Sequence, residues 1–398
     1  MGQGPQHGFR VAGSDAPELA EVRLGYLPLT DCASLILAQQ LGLDRRYGIR
    51  LQLTREVSWA TLRDKLLGGA VHAAHLLYGL AYGIQLGIGG PRREMSVLMT
   101  LNQNGQGITL SNVLRAAGIT DGTRLAQQVR RHPERLRLAH TFPTGTHALW
   151  LFYWLAAHGV DPQTEVETLT VPPPRMLERL AANALDGYSA GEPWNAHAVQ
   201  TGMGFTVITS QAIWPDHPDK VLATTREFTT RYPRTARALI MTLLDAARYI
   251  ETTADLNTVA RRLARPEVID TNVDTIFERL RGEYRDGLGH HWQDPHPLRF
   301  FGDGAVPFPY LSDALWFVAQ QRRWGLLDHD PDYVNLVTQV NQTGLYAEAA
   351  SALGVAVPSS AYRSSRLIDG RIWDGRAPEL FAARSPTGNR HERPVALA

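Results

Sequence analysis

The residues best suited to chemistry in this chain are hydrogen-bond donors set where strands run into helices. Pro143-Thr144-Gly145-Thr146-His147 separates a strand-like stretch (LRLAHTF) from an apolar helical run (ALWLFYWLAAH) that stops at Gly159. Such a turn presents unpaired backbone N–H groups and the positive end of the helix dipole, which suits an anion. Thr144 and Thr146 are candidate N-caps, and His147 in the first turn adds a ring donor. Trp59 stands at another helix start, Gln106 in the amide-rich turn Asn102-Gln103-Asn104-Gly105-Gln106, and Gly191 after a brief strand. In open α/β sheets ligands bind beyond the carboxyl ends of strands, so these positions predict converging donors around a small anion.

Lys220 is the candidate cation. Apart from Lys65 and Lys220, every Lys or Arg position in the chain is Arg. An ammonium only donates hydrogen bonds, so it suits a fully deprotonated oxyanion better than bicarbonate, whose hydroxyl needs an acceptor. Each residue has a plainer reading too. Trp59 and His147 read equally as core side chains, and Lys220 as a solvated surface residue.

Other motifs point elsewhere. Gly187-Tyr188-Ser189-Ala190-Gly191 matches the G-x-S-x-G nucleophile elbow of serine hydrolases. An elbow needs a buried strand before the serine and a helix directly after it. Here a helical pattern precedes the motif and Glu192-Pro193-Trp194 breaks the stretch after it, so the expectation is that the protein is not an enzyme. His72 and His75 would chelate a metal from a helix, but on a strand they face opposite ways. His290, His291, Asp294 and His296 cluster in an aromatic loop and read as solvated side chains ahead of a weak metal site. No metal or cofactor is expected.

The elements that must position these residues alternate between strand and helix. Val22–Tyr26, Ile49–Leu53, Val71–Leu77, Ser96–Leu101, Ile108–Leu110, Val166–Val171 and Phe205–Thr209 read as strands. Thr30 or Asp31 is the expected cap of a helix over ASLILAQQLGL. Ser58 caps a helix over Trp59–Leu67 that stops at Gly68-Gly69. This alternation predicts an α/β fold with parallel or mixed sheets. After about residue 225 the pattern turns helical.

The chain's 398 residues suffice for about two domains. Forty basic against thirty-nine acidic residues imply no polyelectrolyte partner, so no direct contact with nucleic acid is expected. The single cysteine, Cys32, excludes an intrachain disulfide. The first residues lack a signal-like apolar core, and no run of about 18 apolar residues is present, so the expectation is a cytoplasmic protein with no membrane segment.

Taken together, Val57-Ser58-Trp59, LNQNGQGI, FPTGTHALWLFYWLAAHG, VPPPRM, GEPWN, IWPDHPDK and PFPYLSDALWFVAQQRRWG resemble the nitrate/bicarbonate-binding proteins of ABC importers, in matching order from about Leu24 to Gly354. The resemblance implies a type II periplasmic-binding-protein fold, with two α/β lobes and the ligand in the cleft between them. Residues 1–20 would be a flexible arm, 21–112 with 223–355 lobe 1, 113–222 lobe 2, and 356–398 an extended or disordered tail. Trp59, Gln106, His147, Gly191 and Lys220 match the family's nitrate ligands; the bicarbonate branch has an acidic residue in place of Lys220. Without a leader, the chain is most similar to cytoplasmic nitrate/nitrite sensors of the NasS type. By that resemblance its partners would be nitrate or nitrite and an ANTAR-domain, NasT-type RNA-binding antiterminator of nitrate-assimilation genes, released when the anion binds. The alternatives are a solute-binding subunit of a nitrate importer and a hydrolase using Ser189.

Overall fold

The computed structural model describes residues 15–131 and 135–383. Ten strands form two five-stranded sheets. The first contains β1 (Glu21–Tyr26), β2 (Arg50–Arg55), β3 (Ala73–Leu77), β4 (Met95–Thr100) and β10 (Lys220–Thr225). The second contains β5 (Gln106–Ser111), β6 (Arg137–His140), β7 (Glu167–Thr170), β8 (Gly187–Gly191) and β9 (Gly204–Thr209). Their spatial orders are β2-β1-β3-β10-β4 and β7-β6-β8-β5-β9. In each sheet the strands joined through helices pair in parallel, whereas the strand that crosses between lobes, β10 or β5, pairs antiparallel to both neighbours.

The chain passes between lobes twice, through Leu101–Gly105 and back through Trp214–Asp219. The two crossings lie side by side: Leu101 N donates to Lys220 O (2.7 Å), Asp219 N to Asn102 O (3.1 Å) and Asn104 N to His217 O (3.1 Å). Lys220 is therefore the first residue after the hinge. The crossings also shift the lobe boundaries. Residues 106–111 sit in the second sheet and residues 220–222 in the first, because backbone pairing, not the composition of the flanking turns, decides which sheet a crossing strand joins.

The lobes are packed tightly. Helix Tyr78–Leu86 of lobe 1 lies against the turn before helix Thr146–Ala157 of lobe 2, where a Cβ on Gly79 or Gly83 would collide with Thr144. Gln321, on helix Leu311–Arg323, ties both sides by donating to Gly79 O (2.6 Å) and Thr144 O (3.3 Å). Thr30 N of lobe 1 donates to Glu192 O of lobe 2 (2.9 Å). Trp150, Trp214 and Trp316 pack against one another, edge-on or tilted, in one buried cluster.

Both ends of the described chain are more ordered than expected. Residues 1–14 of the expected arm lie outside the described residues, but Glu18 is anchored by Thr235 N (2.7 Å), Thr235 Oγ1 (2.8 Å) and Arg234 N (3.1 Å). The expected extended or disordered tail instead forms a strap as far as residue 383; residues 384–398 lie outside the described residues. Arg363 grips Asp313 through Nε (2.9 Å) and Nη2 (2.7 Å). Trp373, fully buried, donates to Ser312 O (2.9 Å). Asp369 accepts from Tyr153 (2.8 Å), and Ile368 N donates to Ile213 O (2.9 Å), both on lobe 2. A ribbon (Ser365–Arg366 with Ile372–Trp373) and helix Pro378–Ala382 complete it. The polar composition concealed a few large buried anchors.

Candidate functional site

Trp59 is set by a cap. Ser58 is extended and its hydroxyl accepts from Thr61 N (3.1 Å), which starts helix Trp59–Leu67 with the indole pointing into the protein, fully buried. Gln106 opens β5 directly opposite Gly191, which ends β8. Its backbone is fixed by Ser210, whose hydroxyl accepts from Gln106 N (3.2 Å), donates to Gln106 O (3.2 Å) and lies 2.7 Å from His217 Nε2. His147 is the second residue of its helix. Its Nδ1 lies 2.5 Å from Thr141 Oγ1. When the Thr141 hydroxyl donates in that bond, Nε2 carries the ring proton. The N-cap of this helix is Gly145, with no side-chain cap bond, so neither Thr144 nor Thr146 plays the expected capping part.

These side chains share an electronic feature. Trp59 Nε1, both amide atoms of Gln106 and His147 Nε2 are buried without a hydrogen-bond partner. Buried polar atoms are normally satisfied. Trp150, Trp214 and Trp316 also leave an indole N–H unpaired, so an orphaned donor alone marks no site. Convergence does. A Cβ built on Gly191 would lie 3.6 Å from His147 Nε2, 3.6 Å from Asp31 Oδ2 and 3.3 Å from Leu29 Cδ2. His147, Asp31 and Leu29 thus close on one point in front of Gly191 where the two lobes meet, beside Gln106. Across Asp31, the Lys220 ammonium sits 5.8 Å from the centre of the Trp59 ring.

Lys220 is buried, so the surface reading fails. Nor is its charge free. Nζ donates to Asp31 Oδ2 (2.8 Å) and Asp219 Oδ2 (2.6 Å), leaving one of three N–H donors for a ligand. Neither Thr30 nor Asp31 makes the expected cap bond. The second Asp31 oxygen instead lies 2.8 Å from His75 Nε2. Burial raises the Asp31 carboxyl, but Lys220 and His75 outweigh it and hold the group below the usual carboxylate range. Burial pushes Asp219 up to about 7, with Lys220 opposing. Burial disfavours the ammonium of Lys220, yet the two carboxylates hold its pKa above the usual value. Burial keeps His75 and His147 neutral, His147 strongly so. One cation, one firm carboxylate and one carboxyl that titrates near neutrality make up the charged part of the site.

The competing motifs are accounted for by their surroundings. Ser189 lies mid-strand in β8, paired with Ile108, and not at a strand-to-helix elbow. His72 accepts from Arg23 N (3.2 Å) while His75 faces Asp31, so the two do not share a ligand. His296 pairs with Asp216 (3.1 Å) and Asp294 accepts from Gln211 (3.0 Å). Among the described residues no helix is long and apolar enough to cross a membrane.

Comparison with known proteins identifies the relatives of this chain. The model of the NMT1-like family matches residues 15–264. The nitrate/nitrite binding protein NrtA of Synechococcus elongatus is 35% identical over 388 residues, covering 93% of this chain and 87% of that protein. The chain belongs to the NMT1-like family, together with NrtA. The crystal structure of the periplasmic nitrate-binding protein NrtA from Synechocystis PCC 6803 superposes with a TM-score of 0.87 at 32% identity, covering 92% of this chain and 98% of that one. The fold is thus the expected two-lobed periplasmic-binding-protein type. The nitrate import ATP-binding protein NrtC of Synechocystis is 30% identical over 375 residues, covering 94% of this chain and 56% of that protein.

Proposed function

We propose that this chain binds nitrate or nitrite in the closed cleft between its lobes and serves as the solute-binding subunit of a nitrate importer. The observation that carries the reading is the gathering of unpartnered buried donors from both lobes, Trp59, Gln106 and His147, about Gly191, with the remaining N–H of Lys220. A flat monoanion supplies acceptors for all of them. Because the donors come from both lobes and both crossings end at the site, binding favours closure. The protein works by binding, and no bond-making step is assigned to it.

The kinship with NrtA and NrtC favours import over regulation. A nitrate/nitrite sensor that restrains an ANTAR-domain antiterminator would use the same site and the same closure, so the anion site does not separate the two. Cell fractionation does: an importer subunit is found outside the cytoplasm with its permease, a sensor inside it with the antiterminator. The binding reading itself is tested by calorimetric titration with nitrate, nitrite, bicarbonate and sulfate. Heat with nitrate or nitrite alone supports it. Silence with both removes it and leaves only the fold in common with NrtA.

A further inference from the structure

The charges around Lys220 do not balance once an anion enters. Two carboxylates, Asp31 and Asp219, share one ammonium at 2.8 and 2.6 Å in a space closed to solvent. With both ionised, the cluster is already one negative charge in excess before a ligand arrives. A monoanion would make it two, and uncompensated buried charge costs several kcal/mol. Nearby histidines do not compensate. His75, against Asp31, His147, one residue beyond the Thr146 hydroxyl that reaches Asp219 O (3.4 Å), and His217 on the crossing are all held neutral by burial.

Asp219 has the features of a carboxyl that accepts the missing proton. Its Oδ2 faces Lys220 and the Asn102 amide (3.3 Å), while its Oδ1 is buried with no donor. An ionised carboxylate is an acceptor at both oxygens, so the orphaned one favours the neutral acid. Asp31 Oδ1 also lacks an in-line hydrogen bond, but His75 Nε2 stands 2.8 Å from it and Lys220 donates to Oδ2, whereas nothing faces Asp219 Oδ1 in that way.

We propose that the cleft takes up its monoanion together with one proton, and that the proton resides on Asp219. This rests on the anion-binding reading above. The step balances simply: solvent gives one proton to the Asp219 carboxylate as the anion enters, and the cluster's total charge is unchanged. Below the pKa of Asp219 the proton is already in place and no uptake accompanies binding.

The test is calorimetric titration of the full chain with sodium nitrate in buffers of different ionisation enthalpy. At pH 8.5 the apparent enthalpy varies with the buffer by an amount corresponding to about one proton taken up, and at pH 5.5 the dependence vanishes. Kd rises about tenfold per pH unit above neutrality, as one linked proton requires. Asp219→Asn abolishes the uptake and flattens that rise. If the variant does not fold, infrared difference spectra of the wild-type protein decide the seat, since nitrate at pH 8.5 must bring up a protonated-carboxyl C=O band. Nitrate binding at pH 8.5 without proton uptake, uptake that persists in Asp219→Asn, or a missing carboxyl band overturns the proposal. Absence of nitrate binding at every pH would instead defeat the anion-binding reading.

Discussion

Replacing Gln106 by Met separates a ligand-binding residue from a structural one by sign as well as size. Met keeps nearly the volume of the buried side chain and removes both amide atoms, neither of which has a partner in the protein. A volume-conserving swap in a core costs little, and deleting an unsatisfied polar group removes a desolvation penalty instead of a bond. The ligand-free variant is therefore at least as stable as the parent, and any fall in Tm stays within about 1 °C, the shift that about 1 kcal/mol produces in a chain of 398 residues. Nitrate binding behaves oppositely. A buried hydrogen bond to a charged partner is worth about 1.5–3 kcal/mol, so Kd rises roughly 10- to 150-fold. Thermal denaturation without nitrate and calorimetric titration with it give the two readings. A variant that loses several degrees while keeping its affinity would refute the argument and make Gln106 a structural amide at the start of β5.

Gly191→Ala places a Cβ 3.6 Å from both His147 Nε2 and Asp31 Oδ2; titration should show nitrate affinity falling by more than about tenfold, with near-normal urea unfolding. Lys220→Ala leaves Asp31 and Asp219 facing each other unneutralised, so urea unfolding should show a loss of about 3–5 kcal/mol, beyond any effect on binding. Asp219 also makes the free protein pH-sensitive. Its folded pKa, raised to about 7, exceeds the unfolded one, so its contribution is complete in acid and is lost as pH rises through about 7. Tm without ligand should decline between about pH 4 and pH 7 in the parent and level off above that, a decline that Asp219→Asn removes. Trp373→Ala should cost about 3–5 kcal/mol in unfolding experiments, whereas a disordered tail would make it silent.

Much of the architecture was legible because its signals are local. Ser58 before an apolar helix, Gly159 after another, and short β-branched runs each mark an element without reference to the rest of the chain. The features that stayed hidden depend on distant pairing. KVLATT did not stand out as a strand after the polar Pro215–Asp219 turn, and it is held by β3 and β4 on either side. The lobe boundaries moved with it. Asp31 is a second case. Its sequence context suits a helix cap, and only the hinge brings Lys220 to it across 189 positions. Asp219 was within reach of sequence reasoning, since it adjoins one of only two lysines, but adjacency alone does not place two side chains on one contact. The strap shows the same limit, because Arg363 and Trp373 acquire meaning only from Asp313 and Ser312.

The central claim is that one anion ties the two lobes through Trp59, Gln106, His147 and Lys220. A crystal structure of the protein grown with nitrate tests it most directly. The account predicts one trigonal anion in the space beside Gly191, within about 3.2 Å of Trp59 Nε1, Gln106 Nε2, His147 Nε2 and Lys220 Nζ. An anion bound elsewhere, or those four atoms paired with protein groups instead, would contradict it.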